Sequence, residues 1–297
     1  MTDPKPKPRL LLLGASGRVG RLVARFLDAG ANGVIDLVQQ RRSGGQGRGE
    51  LVWGPLDGPD GLLRYLNGQA PFDAFIVLSG ITPHSGGLLD DTQKLADACL
   101  EAAHVTGTQR VLLASSSAVY DVQSAGPIAE QAALTLTNPY GVAKIQMEQA
   151  CARWREKGLE ICCLRIGNVA GADQLLINVE LARRSAPANS PNKIRLDVFD
   201  NGRGPQRSYI GPQTLAAVLQ ALATTPRGLP ETLNIAAPQP IWMDDLLIAA
   251  GCAFDAVSVA GPHQFITLNC DQLTQFYPFR PEESLPETMV KQWQETL

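Results

Sequence analysis

Short apolar runs alternate with amphipathic stretches from the N-terminus to Gly171. Leu10–Leu13 is an unbroken apolar run that stops at Gly14, the pattern of a buried strand. Val19, Leu22, Val23, Phe26 and Leu27 then recur at helical spacing. They predict a helix over residues 18–29, ended by Asp28-Ala-Gly30. Val34–Val38, Ala74–Leu78, Arg110–Ala114 and Leu159–Ile166 read as further strands. Helices are expected over 89–104, where Leu95, Ala98, Cys99 and Ala102 share a face, and over 139–157. The Gly/Arg-rich stretch 41–49 reads as a loop. Beyond Gly171 the alternation weakens: 172–208 is rich in turn signals, 211–225 is helical and Thr232–Ala236 is a strand. Residues 237–297 mix short helical pieces with Pro-rich turns. This order predicts an α/β fold, a doubly wound parallel sheet with helices on both faces. Residues 1–171, with 209–236 returning to them, form the core domain. Residues 172–208 and 237–297 form a small interleaved C-terminal cap.

Composition narrows the class. The chain has 297 residues, 44% of them hydrophobic, enough for a large core without disulfides or metal. Lys plus Arg is 26 and Asp plus Glu is 29, a formal charge of −3, so no electrostatic reason points to nucleic acid or anionic membrane. Six cysteines occur without a Cys-x-x-Cys, and His84, His104 and His263 are scattered, so no metal site is expected. The polar start MTDPKPKPR is followed by an apolar run too short for a signal-peptide core or a membrane span. A reduced, cytoplasmic protein is the expectation.

Gly14-Ala-Ser-Gly17-Arg-Val-Gly20 links the first strand to the first helix. Gly14 permits a sharp turn, Gly17 lets the backbone approach a pyrophosphate, and Gly20 lets the helix pack closely on the sheet. The helix N-terminus then presents free N–H groups to the phosphates. The loop makes the sheet Rossmann-type and assigns Gly14, Ser16, Gly17, Arg18, Val19 and Gly20 to a dinucleotide. Ligands of such sheets bind at the C-terminal strand ends. Those ends add Gln40, Arg41, Leu78, Ser79, Gly80, Ser115 and Ile166, and Leu56 joins them by the resemblance given below. A strand ending at Val38 is followed by Gln39-Gln40-Arg41-Arg42, with no acid for a ribose hydroxyl and two guanidinium groups, which favours NADP over NAD. A shorter register would make Asp36 that acid, and NAD would follow.

Tyr140 and Lys144 stand at i and i+4 at the start of a helix, after Asn138-Pro139. A phenol is a poor base at its free pKa of about 10. A nearby ammonium favours the phenolate, so Tyr140 could take a proton from a substrate hydroxyl, or return it in reduction. Ser115-Ser116-Ser117 closes a strand at the same expected sheet edge.

The Gly-x-x-Gly-x-x-Gly loop, Arg110-Val-Leu-Leu-Ala-Ser-Ser-Ser-Ala-Val-Tyr120, Asn138-Pro-Tyr-Gly-Val-Ala-Lys144 and Leu164-Arg-Ile-Gly-Asn-Val-Ala-Gly171 resemble the extended short-chain dehydrogenases. That is the NAD-dependent epimerase/dehydratase family. The tail, Tyr277-Pro-Phe-Arg-Pro-Glu-Glu-Ser-Leu and Trp293, is similar to family C-termini. The resemblance implies catalysis by Ser116, Tyr140 and Lys144, with hydride transfer at a hydroxyl or keto group. It places Asn168 and Arg207 at the substrate, and the strand-end positions add Ser117 and His84. It implies a homodimer through helices 89–104 and 139–157, and a small-molecule partner such as a sugar or sugar nucleotide. Relatives of this fold without turnover leave a dinucleotide-binding sensor or assembly factor as the alternative.

The chain departs from the family pattern at defined places. Ser117-Ala118 replaces the Asp-Glu pair of dehydrating members, which disfavours dehydration. Pro55 stands where an adenine-binding Asp is common, and Asp121 follows Tyr120 in place of Gly. Ala170 replaces a Tyr, and Ile210-Gly-Pro212 replaces Val-Asp-Asp. These changes, with so few residues left for the cap, point to a small pocket and away from a common nucleotide sugar.

Overall fold

The structure, a computed structural model, describes residues 6–30, 34–44, 49–82, 87–121, 126–185, 193–261 and 264–297. The chain runs β1 (Arg9–Leu13), α1 (Arg18–Gly30), β2 (Asp36–Arg41), β3 (Glu50–Val52), α2 (Asp60–Leu66), β4 (Ala74–Val77), α3 (Asp91–Thr106) and β5 (Arg110–Ser116). It continues with α4 (Pro139–Ala150), α5 (Ala152–Arg155), β6 (Glu160–Ile166), β7 (Asn168–Val169), α6 (Gln174–Ser185), β8 (Lys193–Val198), β9 (Gln206–Arg207) and β10 (Tyr209–Ile210). The last elements are α7 (Pro212–Thr224), β11 (Thr232–Ile235), β12 (Ile241–Trp242), α8 (Met243–Ala249), β13 (Ala253–Ser258), β14 (Phe265–Ile266), α9 (Asp271–Thr274) and α10 (Pro286–Gln294).

Seven strands form one sheet in the order β11-β6-β5-β4-β1-β2-β3. β1 pairs in parallel with β2 and β4, Leu11 lying opposite Val38 and Phe75. Strand order therefore reverses beside β1, which opens the crevice where ligands of doubly wound sheets bind. The Rossmann-type α/β fold expected from the alternation is the one the chain adopts. β1 and β4 read as continuous apolar runs because both their faces are covered: Leu10–Leu13 and Ala74–Val77 are all 0% exposed.

Contacts divide the chain into two compact units. The first holds Met1–Val119, Leu134–Arg165 and Ala216–Leu233; the second holds Tyr120–Ala133, Ile166–Leu215 and Asn234–Leu297. The partition thus runs at Arg165, ahead of the Gly171 boundary suggested by the pattern, and draws 120–133 into the second unit. Local pairing explains this. Asn168 and Val169 pair with Tyr209 and Ile210, and the Tyr120 phenol donates to Asn234 at 2.7 Å. Within the second unit Gly171, at φ +88°, leaves only 2.1 Å between an added Cβ and Trp293, which seals that core at 1% exposure.

Three expected elements differ from the structure. β2 runs Asp36–Arg41 instead of Val34–Val38, because Gln39, Gln40 and Arg41 pair in parallel with Glu50, Leu51 and Val52 of β3. The helix expected over 139–157 is broken at Cys151 into α4 and α5. The turn-rich stretch before Arg207 contains β8, which pairs in parallel with the distant β13. Among the described residues no helix is long and apolar enough to cross a membrane, and no group of ligating side chains could hold a metal. All six cysteines are buried free thiols.

Candidate active site

The glycine loop lies at the C-terminal end of β1. Gly14, at φ +81°, passes so close to Ser79 that an added Cβ would meet its backbone nitrogen at 2.5 Å. At Gly20 a Cβ would come 2.0 Å from the Gly14 carbonyl oxygen. These two glycines are demanded by the packing of the loop itself. Gly17 is different: its nearest neighbour is the Gly14 oxygen at 3.2 Å, and Ser16, Gly17 and Arg18 are exposed. That open face, in front of the first N–H groups of α1, fits a pyrophosphate. Val19 is half-buried.

Gln40 supports the loop from below. Its Oε1 accepts the Gly14 N–H at 3.0 Å and its amide donates to the Trp53 carbonyl, with the residue 2% exposed. Arg41 ends β2 and pairs with Glu50 at 2.9 Å. Beside it opens a cleft of about 220 Å³ lined by Ala15, Arg21, Ala24, Arg25, Gln39 and Arg41. Arg21 and Arg25 are one helical turn apart, so α1 adds two cations to the one at the strand end. Asp36 begins β2 opposite Arg9 and pairs with it at 3.5 Å. It therefore sits at the N-terminal edge of the sheet, away from the glycine loop, and cannot serve as the ribose acid. Leu56 is 65% exposed in the turn after β3; Leu78 and Ser79 are half-buried, and Gly80 is exposed after β4.

The start of α4 is fixed locally. Asn138 caps it, its Oδ1 accepting from Tyr140 N at 3.0 Å and Gly141 N at 3.3 Å, with Pro139 in the first turn. Gly141 lets this helix end approach the 3-10 turn Ser117–Val119. The Ser116 hydroxyl thereby comes within hydrogen-bonding reach of the Tyr140 phenol. Burial raises the Tyr140 pKa and the Ser116 bond lowers it. The expected downward pull on the phenol from Lys144 is not among its influences here: Lys144 Nζ donates to the Ala114 carbonyl at 2.8 Å and lies 3.8 Å from Met147 Sδ. Burial lowers Lys144 to about 8, against upward pulls from Cys163 and Glu148. Ser117 is half-buried beside Ser116, while Ser115 turns its hydroxyl away to Glu148.

Residues 10–236 match the model of the NAD dependent epimerase/dehydratase family. The chain belongs to that family. Its curated relatives include UDP-glucose 4-epimerases from Azospirillum brasilense, 32% identical over 58% of this chain and 53% of that protein, and Streptomyces lividans, 27% identical over 56% and 54%. The chain thus spans about half the length of the curated relatives it matches. Among solved structures, UDP-N-acetylglucosamine 4-epimerase from Bacillus cereus superposes with a TM-score of 0.75 at 17% identity, over 98% of this chain and 99% of that one. A short-chain dehydrogenase/reductase superfamily protein from Agrobacterium tumefaciens with bound NAD gives 0.72 at 18%, over 97% and 96%. At these identities the superpositions speak for the fold.

Ile166, Asn168 and Arg207 lie in the second unit. Ile166 is buried at the end of β6, and Asn168 is half-buried on β7. Arg207 donates to the Gln206 and Gln264 carbonyls, both at 2.9 Å, and to Gln264 Oε1 at 2.5 Å. Burial lowers its pKa, opposed by Tyr209. His84 lies outside the described residues. Glu148 and Arg165, next to the family triad, escaped the motif pattern. Their signal was a charged residue inside the apolar strand Ile161–Ile166, which needs a buried partner.

Proposed function

We propose that the chain is an NAD(P)-dependent oxidoreductase or epimerase acting by hydride transfer on a hydroxyl or keto group of a small, sugar-like substrate. The observation that carries this reading is the Ser116 hydroxyl on Tyr140, with Lys144 one turn further along α4. A nicotinamide dinucleotide, when bound, supplies the site that takes or gives the hydride. Gly17 and the first turn of α1 hold its pyrophosphate, flanked by Ser16, Arg18 and Val19. Leu56, Leu78, Ser79, Gly80 and Ile166 line the rest of its path. Tyr140 takes the proton of the substrate hydroxyl in oxidation and returns it in reduction. Ser116 donates a hydrogen bond to the reacting oxygen, with Ser117 beside it. Lys144 holds the ribose, its amine bound here to the Ala114 carbonyl and exerting no pull on the phenol. Asn168, Arg207 and His84 are the substrate-side candidates.

Epimerisation would take the proton from the hydroxyl as the hydride leaves its carbon, let the resulting keto form turn over in the pocket, and return both on its other face. Dehydration has no support at Ser117-Ala118, where carboxylates would be needed to remove water. Arg21, Arg25 and Arg41 around one cleft favour NADP, whose extra phosphate they match. The six buried thiols suit a reducing cytoplasm. A homodimer through α3 and α4 would meet at exposed Lys94, Glu101, His104, Val105, Gln146 and Gln149, a mostly polar face whose pairing sedimentation velocity can test.

The decisive experiment follows nicotinamide absorbance with sugar nucleotides, free sugars, uronates and small hydroxy acids, for the wild type and Tyr140→Phe. Turnover of one class, lowered about 100-fold or more by the substitution, is expected. Turnover indifferent to Tyr140→Phe overturns the reading, and none with any compound leaves a binding protein. Oxidised cofactor retained through purification selects epimerase; free exchange selects dehydrogenase or reductase.

A further inference from the structure

Glu148 stands one turn beyond Lys144 and two turns beyond Tyr140 on α4. Arg165, on β6, grips its carboxylate with two nitrogens: Nη2 reaches Oε2 at 2.7 Å and Nε reaches both oxygens at 3.2 Å. The Ser115 hydroxyl donates to Oε1 at 2.5 Å. Ser115, Glu148 and Arg165 are 5%, 8% and 5% exposed. Burying two charges is costly, and well-packed apolar residues often stabilise a core as well as such a pair does. The placement of this pair is informative. It joins three elements at one point: α4, which carries Tyr140 and Lys144; β5, whose last two residues are Ser115 and Ser116; and β6.

We propose that Ser115, Glu148 and Arg165 form a positioning clamp for the Ser116–Tyr140–Lys144 site, tying α4 to β5 and β6 and setting a negative charge one turn from Lys144. The assignment rests on the roles proposed above for Tyr140 and Lys144. The ionisable groups around Lys144 are few. Its own helix supplies Tyr140 and Glu148. β6 supplies Cys163 and, behind Glu148, Arg165. β5 offers the Ala114 carbonyl and two serine hydroxyls, and after β4 Gly80 approaches, where a Cβ would lie 3.5 Å from Nζ. Among the described residues Glu148 is the carboxylate that favours the ammonium.

Glu148→Gln keeps the shape and removes that charge. Lysine-labelled protein without added cofactor, with the Lys144 Nζ signal assigned by Lys144→Arg, permits its titration to be followed by NMR. The midpoint is expected to fall by about one pH unit in Glu148→Gln and to stay near the wild-type value in Glu148→Asp. The alkaline limb of the kcat profile should move with it while KM holds. An unmoved Lys144 midpoint in folded Glu148→Gln overturns the proposal. If neither Glu148 variant folds, Ser115→Ala decides. A kcat about tenfold lower at unchanged KM supports the clamp, and an unchanged kcat overturns it. If Tyr140→Phe leaves turnover intact, the functional reading fails while the Lys144 titration still reports on the clamp.

Discussion

Gly141 lies so close to the carbonyl oxygen of Ala118 that a Cβ there would stand 2.2 Å away. No side chain tolerates that distance, so the first turn of α4 presses on the turn that follows Ser116. This is how two segments far apart in sequence bring a phenol and a hydroxyl together. Gly141→Ala must push the helix end outward and break the Ser116–Tyr140 hydrogen bond. kcat is expected to fall about tenfold to 100-fold, with far-ultraviolet circular dichroism unchanged, because a small misplacement of reacting groups has effects of that size. A wild-type kcat in this variant would show that the Ser116–Tyr140 contact is dispensable.

The glycines of the loop separate into two kinds, and substitution can tell them apart. Gly20→Ala drives a methyl into the Gly14 carbonyl at 2.0 Å and should prevent stable folding. Gly17→Ala meets only one atom at 3.2 Å, so stability should stay within about 1 kcal/mol of wild type. Dinucleotide affinity in Gly17→Ala should nonetheless drop about tenfold or more, since the methyl occupies the face offered to the pyrophosphate. Urea denaturation and cofactor titration measure the two quantities separately.

The three arginines of the α1–β2 cleft predict a cofactor preference. Arg21→Ala with Arg25→Ala should weaken NADP binding by about tenfold to 100-fold and leave NAD binding nearly unchanged, given about 1.5–3 kcal/mol for a charged hydrogen bond. Arg41→Ala should do the same more weakly, because Arg41 already shares its charge with Glu50. Equal losses for both dinucleotides would assign the cleft another role. Calorimetric titration with each cofactor is sufficient.

Lys144 gives stability a defined pH dependence. Its amine is 3% exposed and is lowered from 10.5 to about 8 by burial. Between those values the unfolded chain binds the proton and the folded chain does not, so stability rises with pH across that window. Below about 8 both states are protonated and the burial penalty is present in full. Relative to Lys144→Met, the wild type should therefore gain up to about 3 kcal/mol between pH 8 and 10.5, by urea denaturation at each pH. A difference that is flat across the window would place the Lys144 amine in contact with water.

What was legible in the chain followed from regular burial. β1 and β4, covered on both faces, are unbroken apolar runs, and the glycine loop between β1 and α1 carries its own spacing. The end of β2 was illegible because Gln39-Gln40-Arg41 looks like solvated chain. Only the structure reveals that Gln40 spends its amide on Gly14 and Trp53, and Arg41 its charge on Glu50. The β8–β13 pair was illegible for a different reason. Both strands are largely exposed and their partners lie far apart in sequence, so neither periodicity nor a turn announces them. At the site, the motif residues were visible while their supports were not. The serine triplet does not say which hydroxyl faces Tyr140, and Ser115 proves to face Glu148.

The interleaving of the two units carries a consequence for synthesis. β11 closes one edge of the central sheet, yet it leaves the ribosome only after Ile166–Leu215 of the other unit has emerged. Until then the nascent sheet ends at β6, whose apolar edge is unpaired. Such an edge is a template for pairing with other chains, and slow non-local closure prolongs its exposure. The growing polypeptide should thus depend on holding chaperones during this interval, and fragments stopped short of Thr232 should aggregate more readily than ones that include β11.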